Sequence, residues 1–310
     1  MRQKILITGA RGGLAETVVS RLARRFDLVG VDPRPLRVEQ EFPGVFYQID
    51  YRQRRMADVF RNHSFHALLH VGRVPVTADV RKSARYHLNV LGTRNLLDLA
   101  ARYAVKNVVV VSTFHVYGAH HHNHLYINED DPLRASQTFP ELSDAVELDN
   151  VSTLFMLKHR DIRTVVLRPT NVIGPKINNT ITKILANRYC PVLMGYDPLQ
   201  QFIHEEDMAQ AMELALESDR GGVYNVSGEG VIPFTRAIKL VGATPVPVPT
   251  FLGYPFAGLA SKLGSNFPVH LLDYFRYPTV LTDAAFRRDF GYAPAVSTVD
   301  ALKSISIRPT

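Results

Sequence analysis

Three glycines, Gly9, Gly12 and Gly13, stand in the stretch Thr8-Gly9-Ala10-Arg11-Gly12-Gly13-Leu14-Ala15, directly after the apolar run Ile5-Leu6-Ile7. Glycines there let the backbone turn tightly and come close to a pyrophosphate, which the free N–H groups of a following helix then bind. Arg11 and Leu14 belong to the same turn and join it as expected contacts. Asp32 lies about 20 residues further on, where a carboxylate can accept both hydroxyls of an adenosine ribose. Its charge would repel a 2′-phosphate, so NAD is favoured over NADP; Arg11 and Arg34 soften that preference. Ser112 and Thr113 close another apolar run, with His115 just beyond, and offer hydroxyls and an imidazole for proton chemistry. His120, His121, His122 and His124 put imidazoles in one short tract that could bind Zn²⁺ or Ni²⁺, with Glu129, Asp130 and Asp131 as added carboxylates. Solvated loop histidines are the plainer reading of that tract, and no metal is assigned.

The elements that must position these groups alternate along the chain. Strands are expected at 4–8, Asp27–Asp32, Val45–Asp50, Ala67–Val71, Val108–Ser112, Arg163–Arg168 and Gly222–Val226, most of them apolar throughout. Strands of that composition are buried on both faces, which means a parallel sheet. Helices are expected at Glu16–Arg25, from about 79 to Tyr103, at Ser143–His159 and at Asp207–Glu217, and shorter ones at Phe234–Val241 and Asp283–Phe290. A polar loop, His120–Pro140, separates the fifth strand from the helix that follows it. This alternation predicts an α/β fold, a doubly wound parallel sheet of Rossmann type with a small, partly helical C-terminal lobe. The expected division is 1–174 plus about 203–230 for the sheet domain, and 175–202 plus 231–310 for the lobe.

Composition narrows the classes. The chain has 310 residues, 46% of them hydrophobic and 21% charged, which supports a large core rather than a disordered chain. Net charge is +7, but the basic residues are scattered and accompany no nucleic-acid module, so no nucleic acid is expected as partner. No apolar run approaches the roughly 20 residues of a membrane span. With one cysteine, Cys190, an internal disulfide is impossible. Cytoplasmic residence is the resulting expectation.

Further motifs make the chain similar to one family. The helix sequence His87-Leu-Asn89-Val-Leu-Gly-Thr93, the strand end Val110-Val-Ser112-Thr113 with Val116-Tyr117-Gly118, and Leu167-Arg168-Pro169-Thr170-Asn171 follow the glycine turn in order. Gln201-Phe-Ile-His-Glu-Glu-Asp207, Val223-Tyr-Asn225-Val and Arg288-Asp-Phe290-Gly continue the series. Together they resemble the extended short-chain dehydrogenase/reductases of the NAD-dependent epimerase/dehydratase type. The resemblance implies NAD as cofactor, with Gly9, Arg11, Gly12, Gly13, Leu14, Asp32, Asp50, Val71, Gly72, Asn89, Ser112, Pro169 and Thr170 around it. It implies Asp50 beside the adenine, Val71-Gly72 in the loop beneath the cofactor, and a homodimer paired through the helices at about 79–103 and 143–159. Leu154, Phe155 and Leu157 supply apolar surface for that pairing. His70 reads as a packed core histidine.

The departures matter as much. The family's acid/base is a Tyr-x-x-x-Lys pair, in which the lysine lowers the tyrosine's pKa. None of the 13 tyrosines here has a lysine four residues later. Register on the helix puts Glu141 at the tyrosine's place and Ala145 at the lysine's. Gln200-Gln201 replaces the Arg-Asp that sugar-nucleotide members carry, leaving Arg276 and Arg288 as possible anion contacts. The expectation is an NAD(H)-binding protein degenerate in catalysis, serving as sensor, scaffold or regulatory subunit. The alternative is an active oxidoreductase, epimerase or dehydratase on a sugar-like or hydroxy-ketone substrate, using Thr113 with Glu141 or His115. The substrate stays unknown.

Overall fold

The computed structural model describes residues 2–75, 80–251 and 269–305. Seven strands form one parallel sheet: β1 (Lys4–Thr8), β2 (Asp27–Asp32), β3 (Gly44–Gln48), β4 (Ala67–His70), β5 (Asn107–Val111), β6 (Arg163–Pro169) and β7 (Gly222–Val226). Their order across the sheet is β7-β6-β5-β4-β1-β2-β3. Direction of winding reverses between β1 and β4, the place where such sheets open a crevice at their carboxyl ends.

The strands are apolar throughout because both faces are covered. Ile5 and Ile7 pack with Val109, Val111 and Leu167 on one face. Leu6, Val108 and Val110 pack on the other. The first face is covered by helix α1 (Gly13–Leu22) and, later in the chain, α5 (Glu205–Glu217), held together by Arg21 Nη2 on Glu213 at 2.7 Å. The second carries α2 (Met56–Asn62), α3 (82–102) and α4 (Ser143–Lys158). Helix α3 runs from Lys82–Tyr86 through a π-helical turn, His87–Gly92, into Thr93–Arg102.

A separate apolar cluster gathers Ile173, Leu185, Cys190, Phe202, Phe234, Ile238 and Leu302 from the later segments. Cys190 is buried there, and burial pushes its thiol pKa up to about 11, which leaves it an inert packing residue.

Most element limits agree with the sequence reading, and the differences have local causes. The third strand stops at Gln48 because Asp50 turns inward on its own backbone, accepting from the Arg52 amide at 2.9 Å. Helix α5 starts at Glu205, earlier than expected, since the His204 side chain caps it by accepting from the Glu206 amide at 3.3 Å. The loop at 120–140 contains a helical turn, Ala135–Thr138, and a 3₁₀ turn, Pro140–Leu142. Helix α2, one short apolar stripe of Met56, Val59 and Phe60, went unanticipated. Residue 79, the expected start of the long helix, lies outside the described residues, and the helix is seen from Lys82.

Candidate functional site

A cleft of about 380 Å³ opens at the carboxyl ends of β1, β4, β5 and β6. Gly9, Gly12, Gly13 and Leu14 form one end of its wall, and Val71, Gly72, Ser112, Thr113, Pro169 and Thr170 continue it. Gly9 has φ +71°, and a side chain there would strike Gly72 Cα at 2.5 Å. A Cβ on Gly13 would run into the Lys176 carbonyl at 1.9 Å. Backbone alone fits at these points. Helix α1 starts at Gly13 with no side-chain cap, so its first-turn amides are left to an incoming group.

Asp32 ends β2 fully buried. It accepts from the amides of Arg11 at 3.2 Å and Arg34 at 3.0 Å, and from the Arg34 guanidinium at 2.9 and 3.1 Å. Arg34 itself is half exposed and lines the cleft, so Asp32 reaches the cleft from beneath it. Asp50 is held by Arg52 in the same way, off the cleft wall. Its burial raises the carboxyl pKa, but the Arg52 hydrogen bonds outweigh that and leave it below the ordinary value.

The other end of the cleft holds hydroxyls. Thr170 Oγ1 is buried with no hydrogen-bond partner among the described residues, an expensive state unless a ligand supplies one. Thr113 Oγ1 lies 2.8 Å from His115 Nδ1. The His115 ring is packed between Phe114 and Tyr274, at centroid distances of 4.1 and 4.8 Å, and all of them line the cleft. Tyr274 donates its hydroxyl to the His115 carbonyl at 2.8 Å, which fixes the turn carrying that ring. Ser112, also on the wall, donates its hydroxyl to Asp149 at 2.6 Å.

Asp149 is the hub of a buried network that explains several of the motifs. Arg168 grips it with Nε at 3.0 Å and Nη2 at 2.7 Å. Arg168 Nη1 donates to the Tyr117 hydroxyl at 2.8 Å, which donates in turn to Asn225 Oδ1 at 2.8 Å. Burial of Tyr117 lifts its phenol pKa to about 12, so it stays protonated and able to donate. These residues tie β5, β6, β7 and α4 together.

Positions around the start of α4 arrange differently from the register expected. Glu141 is exposed on the 3₁₀ turn before the helix and is not part of the cleft wall; its carbonyl accepts from Arg85 at 2.6 Å. Ala145 is buried in a small apolar cluster. The inward group is Asp144, buried and paired with buried Arg85 at 3.1 Å. Asn89 sits in the π turn rather than at the cleft. It donates to Asp144 at 2.5 Å and brackets Val74, accepting from its amide at 2.9 Å and donating to its carbonyl at 2.8 Å. Arg73, Asp144 and Arg85 were not anticipated; the one signal for Arg73 was a charge placed directly after Gly72.

The remaining expectations scatter. Gln200 and Gln201 are buried and donate to the carbonyls of Tyr274 and Leu281, both at 3.0 Å, so they fasten the chain's later segment. Arg276 lies over the rings of Tyr196 and Tyr277, and exposed Arg288 pairs with Asp289. Neither lines the cleft. His120 stacks on His122 at 5.3 Å, and His124 bonds Asp131 at 3.0 Å. Among the described residues no group of His, Cys, Asp and Glu is arranged to hold a metal ion. Leu154 and Leu157 are exposed, whereas Phe155 is buried in the core beneath them and contributes no surface. Among the described residues no helix is long and apolar enough to cross a membrane.

Comparison with known proteins agrees with this geometry. Residues 5–227 match the model of the NAD dependent epimerase/dehydratase family. An uncharacterized protein of Mycobacterium tuberculosis is 29% identical over 311 aligned residues, covering 96% of this chain and 81% of that one. A dTDP-glucose 4,6-dehydratase of Streptomyces griseus is 28% identical over 222 residues, 69% of this chain and 62% of the enzyme. Among solved structures, UDP-glucose 4-epimerase of Thermotoga maritima, with UDP-glucose, superposes with TM-score 0.81 at 19% identity over 98% of this chain and 97% of that one. The dTDP-glucose 4,6-dehydratase of Bacillus anthracis, in complex with NAD, gives 0.76 at 16% identity over 98% and 95%.

Proposed function

We propose, from the premise that this chain belongs to the NAD dependent epimerase/dehydratase family, that it is an NAD(H)-binding protein that has given up the family's usual acid/base pair and acts as a sensor, scaffold or regulatory subunit. The cofactor part of the reading comes from the cleft. The glycine turn and the uncapped start of α1 suit a pyrophosphate, and Asp32 suits a ribose diol once Arg34 swings aside. The observation that carries it is the orphaned Thr170 hydroxyl, a buried polar atom on the wall where a carboxamide would complete its hydrogen bond. In this reading 1–174 with about 203–230 holds the cofactor, and 175–202 with 231–310 forms the lobe that closes over the other ligand. The loss of the pair rests on the sequence, and it is supported by the surroundings of the start of α4, where the 3₁₀ turn puts Leu142 on the cleft wall and α4 buries Asp144 on Arg85.

A second reading is favoured by one contact. The Thr113–His115 hydrogen bond, at 2.8 Å on the cleft wall, is an arrangement in which an imidazole can take or give a proton at a hydroxyl. His115, rather than exposed Glu141, would then be the acid/base of an active oxidoreductase, epimerase or dehydratase. NAD, when bound, supplies a hydride acceptor; His115 and Thr113 hold the substrate oxygen and its proton.

Titration of NADH and NADPH fluorescence with the protein tests the first part. NADH should bind more tightly, and Asp32→Ala should erase the difference; equal or tighter NADPH binding overturns the assignment. Turnover with sugar-nucleotide and hydroxy-ketone substrates separates the two readings. Activity that survives Glu141→Gln and disappears in His115→Ala, by about 10²- to 10⁴-fold, establishes the second. No turnover in the NAD-loaded protein upholds the first.

A further inference from the structure

Among the described residues the cleft wall carries the cations Arg34, Arg73 and Lys176, and no carboxylate side chain. Two of these are engaged: Arg34 with Asp32, and Lys176 with Glu16 at 3.2 Å. Arg73 differs. Among the described residues its side chain makes no hydrogen bond and no ion pair, although it is half-buried on the wall. The carboxylate whose charge acts on it, Asp144, is already taken up by Arg85 and Asn89. A guanidinium cannot shed its proton to relieve this, so the charge stays, with no counter-ion among the described residues.

Its backbone is fixed on both sides. The Gly72 carbonyl accepts from the Tyr51 hydroxyl at 3.1 Å, and Val74 is bracketed by Asn89 on amide and carbonyl. Placement within the crevice follows from the topology. Arg73 leaves the end of β4, and the charges that act on it, Asp144 and Arg85, belong to α4 and α3. That is the β4–β5 side, shared with Thr113 and His115 and away from Asp32 at the end of β2. Burial drives the Arg73 pKa down, opposed by the Asp144 charge and reinforced by Arg85. The trio Arg73, Arg85 and Asp144 carries a formal charge of +1 (two guanidinium groups and one carboxylate), so one negative charge would balance it.

We propose that Arg73 is an anion-binding residue of this cleft and receives the carboxylate of a small ligand lying beside Thr113 and His115. A planar carboxylate matches the guanidinium fork with two parallel N–H···O bonds, and as a monoanion it matches the local charge better than a phosphate dianion. The proposal builds on the cofactor reading: the dinucleotide takes the glycine turn, and the carboxylate ligand takes the space beyond it. Such a ligand would be a hydroxy acid, keto acid or uronic-type sugar.

Calorimetric titration of the full-length protein with sodium glycolate and, separately, inorganic phosphate tests this, each with and without saturating NADH. Saturable glycolate binding is expected, tighter than phosphate. Arg73→Gln should weaken it at least about tenfold, while NADH affinity stays within about threefold of the parent. Arg73→Lys, which keeps the charge and the fold but loses the fork, should weaken glycolate several-fold and serves if the Gln variant fails to fold. Glycolate binding unchanged in either folded variant, absence of saturable glycolate binding, or tighter phosphate binding overturns the proposal. So does a tenfold loss of NADH affinity with glycolate unaffected, which would assign Arg73 to the pyrophosphate. Arg73-dependent glycolate binding by a protein that fails to bind NADH would sink the cofactor reading and leave the anion site standing.

Discussion

Acid should destabilise this protein through His70, and the size of the effect can be worked from its contacts. His70 ends β4, fully buried, with Nε2 at 2.8 Å from Thr93 Oγ1 and Nδ1 at 2.6 Å from Thr8 Oγ1. Thr93 spends its proton on the Asn89 carbonyl at 2.6 Å, so its oxygen accepts from Nε2–H and the Thr8 hydroxyl donates to Nδ1. The ring is thereby fixed as one neutral tautomer, and burial pushes its pKa down to about 4. An unfolded-chain histidine titrates near 6.5. Above that pH both states are neutral and His70 makes no pH-dependent contribution. As pH falls below it, the unfolded chain takes up a proton that the folded protein refuses. Stability then drops by about 1.4 kcal/mol per pH unit until the folded pKa is reached, about 3 kcal/mol in all. Urea unfolding of the wild type and of His70→Asn at a series of pH values isolates this share, since other groups titrate alike in both. The stability difference between the two proteins should be constant above pH 6.5 and move by about 3 kcal/mol in the variant's favour by pH 4. Parallel profiles through that range would refute the argument.

Asp149→Ala strips the buried Arg168 guanidinium of its bidentate partner and should cost about 3–5 kcal/mol in denaturant unfolding, while Asp149→Leu with Arg168→Met should recover much of it. A loss below about 1 kcal/mol would mean that water reaches the site. Leu154 and Leu157, exposed by 63% and 57% on α4, should lie in a homodimer contact; light scattering should give a dimer that Leu154→Glu with Leu157→Glu splits, and a monomeric parent contradicts this. The tract at His120–His124 should bind Zn²⁺ or Ni²⁺ only weakly, because among the described residues its rings are not gathered with other donors around one point. A chelator should leave the melting temperature unchanged, and stoichiometric zinc in the purified protein would say otherwise.

The sheet was legible because strands buried on both faces must be apolar at every position, and β2 and β7 have the limits their sequences imply. The glycine turn was legible for a related reason: where backbone packs on backbone, only glycine fits. The start of α4 was not. Proline at 140 begins a 3₁₀ turn, which tightens the spacing and shifts the register, so Glu141 faces solvent and Asp144 faces inward. Asn89 was placed at the cleft on a helix read as regular, but the π turn redirects it to Val74 and Asp144. Arg73 belongs to a loop with no periodicity, and only three-dimensional packing reveals that its charge has no partner among the described residues.

The π turn at His87–Gly92 also makes α3 unequally tolerant of change along its length. Downstream, Leu96, Leu97, Leu99 and Ala100 are locked into the core, so that half cannot rotate. Any change in residue number within the turn must therefore be absorbed upstream. Deleting one residue there would restore a regular helix and wind Lys82–Tyr86 by about 100°, since a turn takes 3.6 residues. That rotation would swing Arg85 off Asp144 and cut the tether that Asn89 makes to the loop bearing Arg73. A segment remote from the glycine turn thus sets how Asp144, Arg85 and the loop bearing Arg73 are arranged at the other end of the cleft, and a change in its length would leave the glycine turn itself untouched.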